Sequence, residues 1–360
     1  MTPDPPRANG ARVTIADIAR ELGISKAAVS YALTGRPGVG ADTRKRVLAA
    51  AEQMGWYPSS SARALSGARA GVVGLVLSRP PELLTFETFF VHLLAGLEEV
   101  LNERGSSLLL RVIGDHPDEE IRTYRRWWGE RRIDGVILLD ERFRDPRVAP
   151  VRDLDVPVVL CGGPLRDWTM PALWTDHAAD ADVAVEHLHA LGHRRIAHVS
   201  GPIEFVHERA RRRGLRRSAA RRGMAVETVE GDYTGTSAAE HTMRLLGADV
   251  GDRPTAVVYG SDVMAASGLT AALGLGVDVP RALSVLSWDD SQLATLLRPS
   301  ISALRRDNMA YGALAGNTLL DLVEGRNRGL IQLPASQLVA RDSTAVAPEP
   351  VGRVPQVTVK

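Results

Sequence analysis

The chain has 360 residues, carries 44 Lys and Arg against 43 Asp and Glu for a formal charge of +1, and is 44% hydrophobic. That length exceeds one compact domain and suits a small unit joined to a core of one or two lobes. The single cysteine, Cys161, excludes an internal disulfide framework, and no stretch is long and apolar enough to span a bilayer. The opening Met-Thr-Pro-Asp-Pro-Pro lacks the apolar run of a signal peptide, so the cytoplasm is the expected compartment. The near-neutral total hides an asymmetry: residues 11 to 70 carry nine Lys and Arg against four Asp and Glu. Nucleic-acid phosphates are expected at that basic end.

Residues 1 to 11 are expected to be disordered. Val13 to Leu33 then reads as two short amphipathic helices joined by a glycine turn. Thr14 and Asp17 fit a capping box, and Ile15, Ile18, Ala19 and Leu22 fall on one face at the helical period. Gly23 turns the chain. Ser25 caps a second helix with Ala28, Val29 and Leu33 inward, leaving Lys26, Ala27, Ser30 and Tyr31 on an outward face suited to a DNA major groove. Lys26 and Ala27 open that helix and are the expected base readers, while Thr34, Arg36 and Arg44 suit phosphates. Thr14 and Ser25, at the helix starts, join this DNA-facing set. A third helix over 41 to 54 ends at Gly55, and Tyr57-Pro58 forces the chain out, so residues 12 to 58 form a three-helix headpiece. Ser59 to Leu65 offers a serine cap and one or two helical turns, too short to be stable alone.

From Gly71 the pattern changes to short apolar runs separated by helical stretches. Val72–Leu77, Ser107–Val112, Gly135–Leu139 and Pro157–Leu160 read as buried strands, with helices around 87 to 104 and 118 to 132. A second series follows: strands at Arg195–Ser200, Ala225–Glu230, Thr255–Tyr259 and Ala282–Ser287, and helices near 178 to 191, 207 to 222, 235 to 247 and 262 to 273. The fold class is α/β, with two parallel sheets and hence two lobes behind an all-α headpiece. Ligands of such sheets sit beyond the carboxyl ends of the strands. Asp289, Arg211 and Tyr233 follow strands or open helices there, and are the residue types that pair with vicinal hydroxyls and cover a sugar ring. Asp262 reads as a helix cap, and Asp176 as a weaker candidate for the cleft.

The order helix-turn-helix, third helix, Gly55-Trp-Tyr-Pro58, then Ala62-Arg63-Ala64-Leu65 resembles the DNA-binding end of the lactose-repressor (LacI/GalR) family. The two-lobed remainder resembles that family's periplasmic-binding-protein-like sensor. The resemblance implies that residues 59–70 are a hinge helix and linker that folds when two subunits pair on a near-palindromic operator. Leu65 would then wedge into the minor groove, with Ser60, Ala62 and Arg63 beside it, as an apolar wedge that bends the duplex. It implies a core over 71–344, with lobe 1 over about 71–162 and 296–327 and lobe 2 over about 166–290 and 332–344. Crossovers are expected near 162 to 166, 290 to 296 and 327 to 332, and a disordered tail from 345 to 360. Phe89, Phe90, Arg211, Tyr233, Ser261, Trp288 and Asp289 fall at positions that imply effector contact. Ser287-Trp288, Phe205-Val206-His207 and Gly162-Gly163 depart from the usual family pattern, which sets this pocket apart from a standard aldohexose site.

The nine histidines are scattered without metal-binding spacing, and no dinucleotide, P-loop or nucleophile-elbow motif is present. The expectation is therefore no catalysis, no metal and no cofactor. The expected activity is that of a homodimeric repressor released from DNA by a small carbohydrate. The alternatives are a regulator of the same fold answering a nucleobase or nucleoside, or acting with a corepressor, and, less favoured, a solute-binding protein.

Overall fold

The computed structural model describes residues 13–56, 69–80, 84, 87–114, 116–163, 170–249 and 251–349, in two compact units that divide after Ala70. The expected N-terminal tail and Ser60, Ala62, Arg63 and Leu65 lie outside the described residues.

In the first unit, α1 (Ile15–Leu22), α2 (Lys26–Thr34) and α3 (Ala41–Gln53) enclose Ile18, Ala19, Val29, Ala32, Val47, Ala50 and Ala51. The Asp17 carboxylate accepts from the Thr14 N–H at 3.0 Å and its hydroxyl at 2.8 Å. Gly23 takes φ +65°, and Ser25 Oγ accepts from the Ala28 N–H at 3.1 Å, so local chemistry sets where the helices stop and start. Ala28 and Leu33 are only half-buried, and Ala32 takes the central place instead. With so many alanines in this core, short helices approach closely with little side-chain volume between them.

In the second unit, lobe 1 begins with β1 (Val72–Ser78), α4 (Thr88–Glu103), β2 (Ser107–Ile113), α5 (Pro117–Gly129) and β3 (Gly135–Leu138). It continues through α6 (Val148–Asp153), β4 (Val158–Cys161) and β5 (Ala172–Trp174). Lobe 2 holds α7 (His177–Ala190), β6 (Arg195–Ser200), α8 (Val206–Arg221), β7 (Ala225–Glu230), α9 (Gly235–Leu246) and β8 (Ala256–Tyr259). It goes on with α10 (Asp262–Gly274), β9 (Ser284–Ser287), α11 (Gln292–Leu296) and β10 (Ser302–Arg305). The chain then returns to lobe 1 for α12 (Asn308–Val323) and β11 (Leu330–Gln332), and to lobe 2 for β12 (Gln337–Val339). The sheet orders are β2-β1-β3-β4-β5-β11 and β7-β6-β8-β9-β10-β12, parallel throughout except where β12 runs against β10. Central strands such as β3, β4 and β8 are buried along their whole length, as sheets covered by helices on both faces require.

Each crossover lies further along the chain than the family resemblance implies. Ala172–Trp174 pairs with β4 through Leu160↔Ala172 and Cys161↔Leu173, and Ser302–Arg305 pairs with β9 through Ser302↔Leu286. Backbone ladders thus hold these strands in the lobe they follow, and the chain crosses after Trp174, after Arg305 and after Gln332. Arg306 ties the three crossings together. It donates to Thr175 Oγ1 at 3.1 Å, the Pro334 carbonyl at 3.2 Å, Ser336 Oγ at 2.7 Å and the buried Asp180 at 2.5 Å. Residues 345 to 349, expected to belong to a disordered tail, are instead held on lobe 2: the Ala345 N–H donates to Ser284 Oγ at 3.1 Å and the Ala347 N–H to the Leu191 carbonyl at 2.8 Å.

Within lobe 1, α4 and α12 cross in backbone contact. A Cβ added at Gly96 would lie 1.9 Å from the Met309 carbonyl oxygen, and one at Gly312 would lie 1.9 Å from that of Leu93.

Candidate functional site

Facing strand ends enclose a cavity of about 170 Å³ between the lobes. Lobe 1 contributes Arg79 after β1, Asp140 and Glu141 after β3, and Phe89 and Phe90 at the start of α4. Lobe 2 contributes His207 and Arg211 from α8, Tyr233 after β7, Ser261 and Asp262 after β8, and Trp288 and Asp289 after β9. All seven sequence-predicted effector residues thus line one cavity, although no two of those on lobe 2 come from the same loop except Trp288 with Asp289 and Arg211 alone lies within a helix.

The groups are held from beneath. Arg211 donates to the fully buried Glu208 at 2.7 Å and to the Gly260 carbonyl at 3.2 Å, and its guanidinium lies 4.8 Å from the centre of the Trp288 ring. The Tyr233 hydroxyl donates to the same Glu208 at 2.8 Å, which leaves the His207 Nε2–H, 2.7 Å away, to donate to the phenol oxygen. Burial, with Arg211, His177 and Arg79 adding to it, keeps the His207 imidazole neutral, well below its ordinary range. Arg79 reaches across from lobe 1: it pairs with Asp140 at 3.1 Å and stacks on Phe205 of lobe 2 at 4.4 Å. Ser287 clamps the backbone of Asp289, accepting from its N–H at 3.2 Å and donating to its carbonyl at 2.7 Å. The Asp289 carboxylate itself has no hydrogen-bond donor among the described residues. Burial pushes it up to about 6, against the pull of Arg211 and helped by Asp262 and Glu208.

Two residues have roles the sequence assigned differently. Ser261 is the cap of α10, accepting from the Met264 N–H at 3.3 Å, whereas Asp262, in the first turn, accepts from the Val263 N–H at 2.8 Å and from Thr88 Oγ1 of lobe 1 at 3.3 Å. Asp176 caps α7 through the Ala178 and Ala179 N–H groups and stays outside the cavity lining.

In the headpiece, Lys26, Ala27 and Tyr31 are exposed along α2, and Ser30 is half-buried. Thr14 and Ser25 are exposed but engaged as helix caps, and the Thr34 hydroxyl donates to the Ser30 carbonyl at 2.7 Å. Arg36 and Arg44 are exposed, the latter with its guanidinium against Gly35 at the end of α2. A basic, solvent-facing helix with small side chains at its start is the arrangement a major groove admits.

Residues 14–59 match the family described as bacterial regulatory proteins, lacI family, and residues 185–344 match the periplasmic binding protein-like domain. The chain is 33% identical to the HTH-type transcriptional regulator MalR of Streptomyces coelicolor over 94% of this chain and 98% of that protein. It is 30% identical to catabolite control protein A of Priestia megaterium over 89% of this chain and 96% of that one. The chain belongs to the LacI family. A crystal structure of the lac repressor dimer bound to operator and the anti-inducer ONPF matches at TM-score 0.79 and 26% identity, over 93% of this chain and 100% of that one. The CelR–cellobiose complex matches at TM-score 0.70 and 26% identity, over 92% and 100%.

This LacI-family cavity also holds residues that sequence reasoning missed: Arg79, Glu87, Asp140, Glu141, His177 and Arg306. Asp140 and Glu141 directly follow the predicted strand Gly135–Leu139, so the strand-end rule was sufficient to find them. Arg306 carried no signal, because Arg305-Arg306 looks like any charged pair until the second crossover is located. Among the described residues no helix is long and apolar enough to cross a membrane.

Proposed function

We propose that this LacI-family regulator is a homodimeric repressor that leaves its operator when a small carbohydrate enters the interlobe cavity. The observation that carries this reading is the Asp289 carboxylate, without a hydrogen-bond donor among the described residues, in a cavity that Arg211, Trp288 and Tyr233 also line and to which both lobes contribute. Acceptor, cation and aromatic face are the groups that hold vicinal hydroxyls and a ring's C–H surface. The cellobiose named with CelR and the operator named with the lac repressor agree with it. On DNA, Lys26, Ala27, Ser30 and Tyr31 read bases. Thr14, Ser25, Thr34, Arg36 and Arg44 meet the backbone, and Ser60, Ala62, Arg63 and Leu65 act at the hinge. Leu110 and Val112, each 40% exposed on the edge strand β2, suit a dimer face. The protein works without catalysis and in the cytoplasm, where operator DNA is found.

Ligand and operator are linked through the lobe angle, so a 10- to 1,000-fold weakening of DNA binding corresponds to about 1.4 to 4 kcal/mol of coupling. Fluorescence anisotropy on DNA from upstream of its own gene, at fixed salt and against neutral sugars, tests the reading. Release by a sugar supports it, and loss of that release in Asp289→Ala with DNA affinity intact assigns the site. Tightening by the sugar, or release in Asp289→Ala equal to that of the parent, overturns it.

A further inference from the structure

The cations of this cavity are already matched, whereas some of its carboxyl oxygens have no donor among the described residues. Arg79 pairs with Asp140, Arg211 with Glu208 and Arg306 with Asp180. By contrast, Glu141 Oε2 is buried without a hydrogen-bond donor, the Asp289 carboxylate has none among the described residues, and Glu87 Oε2 has only the Arg79 guanidinium at 3.6 Å. Among the described residues the cavity also holds donors without a hydrogen-bond acceptor, Arg211 Nε and Trp288 Nε1, with the His177 Nδ1 likewise unpaired. A hydroxyl both donates and accepts, so a polyol serves both sets. A phosphate dianion or a carboxylate serves only the donors, having no proton to give Glu141 Oε2 or the Asp289 carboxylate.

Glu141 stands out among these acids because the chain is shaped around it. It is 3% exposed. The Gly163 N–H donates to its carboxylate. A Cβ at Gly162 would come within 3.0 Å of Glu141 Cβ and 3.1 Å of Oε2, so only glycine leaves the carboxyl its place. The turn that carries Glu141 is rigid: the buried Arg147 donates to Glu120 and to the Leu139 and Asp140 carbonyls, each at about 2.9 Å. The same residue joins the lobes, since its carbonyl accepts from the Val206 N–H of lobe 2 at 2.9 Å, while the Phe143 N–H donates to the Glu204 carbonyl at 2.8 Å. Burial, with Asp145 beside it, outweighs the Gly163 N–H and Arg147 and holds the carboxyl up at about 7.

We propose that Glu141 accepts a hydroxyl from the effector, so that the cavity selects an uncharged polyol over its phosphorylated or carboxylated forms and senses it at the residue that bridges the lobes. The proposal rests on the carbohydrate reading above and narrows it.

The test is thermal stabilisation and operator release of the full chain with glucose, galactose, maltose and cellobiose, with glucose 6-phosphate and gluconate, and with adenosine. Binding of a neutral sugar, at least tenfold tighter than glucose 6-phosphate and gluconate, is expected. Glu141→Gln should weaken that sugar about tenfold while Glu141→Asp retains part of the affinity. In a monodeoxy series of the same sugar, one analogue should lose affinity on the parent protein and lose nothing further on Glu141→Gln, a coincidence that a purely structural role does not produce. Equal or tighter binding of the phosphate or gluconate overturns this inference and leaves the carbohydrate reading standing. An unchanged deoxy profile in Glu141→Gln overturns the role of Glu141. Stabilisation by adenosine alone, or by none of the compounds, overturns both readings.

Discussion

Replacing Arg306 with Met removes the side chain on which all three crossovers converge. Asp180 is 0% exposed and Arg306 16%, so the pair sits largely out of water, where loss of one partner costs about 3 to 5 kcal/mol. Asp180 keeps the Ser336 N–H at 2.7 Å and His177 nearby, which places the expected loss at the lower end, roughly 3 kcal/mol. Burial alone pushes the Asp180 carboxyl up, but His177, Arg306 and the Ser336 N–H more than offset it and hold it below its ordinary value. The stabilisation is therefore present above the unfolded pKa and is lost as pH falls through the folded one, so the deficit of Arg306→Met is greatest near neutrality. Urea denaturation at pH 7, followed by circular dichroism, measures it. Asp180→Asn in the Arg306→Met background should recover at least about 1 kcal/mol by removing the uncompensated charge. A deficit below about 1 kcal/mol, or no recovery in the double variant, refutes the argument that the crossovers are held by this ion pair.

Gly96→Ala, at the α4–α12 crossing, should cost about 2 kcal/mol or more because backbone overlap outweighs the helix-propensity gain of about 1 kcal/mol; Gly129→Ala, with nothing within 4 Å of its added Cβ, should cost nothing in the same urea titration. His193 is buried against Thr255, Ser284 and the Ala345 carbonyl, and burial lowers it to about 4. The unfolded chain then takes up the proton first, so stability is complete above pH 6.5 and falls by up to roughly 3 kcal/mol on acidification to pH 4. His193→Gln should flatten that pH profile, and an unchanged slope would count against it. Lys26→Ala should weaken operator binding and, if Lys26 also neutralises a phosphate, lower the salt slope by about 1, read by anisotropy between 50 and 200 mM salt.

Local chemistry made much of this chain legible. The Thr14–Asp17 box, the Gly23 turn and the Ser25 cap depend on neighbours within four residues, and the central strands are apolar runs that only a parallel sheet buries on both faces. Strand ends marked Tyr233, Ser261, Trp288 and Asp289 without any knowledge of side-chain packing, whereas Phe89, Phe90 and Arg211, which lie in helices, were reached through the family resemblance. What escaped depends on long-range pairing. Ala172–Trp174 and Ser302–Arg305 are too short to declare a lobe, and only their ladders with β4 and β9 assign them. α12 went unread because Gly312 and Gly316 lower its apparent helix propensity, yet they are there so that α4 can approach. The buried acids of the cavity were passed over because a carboxylate is ordinarily solvated, and no local pattern announces one that is not.

Because the chain returns to lobe 1 only after finishing β10, the first lobe is incomplete for most of its own synthesis. The face of α4 that carries Leu93, Leu97 and Leu101 is made some 200 residues before α12, the helix that covers it. At 5–20 residues per second that interval is roughly 10 to 40 s. During it an apolar helix face waits for a partner that the ribosome has not yet produced, while the headpiece, whose core is closed within residues 13–56, is already out. Neither lobe corresponds to a contiguous stretch of the gene, so a truncation at the end of β10 yields a chain with its DNA-reading helices and an uncovered sheet, prone to aggregate rather than to act as a smaller regulator.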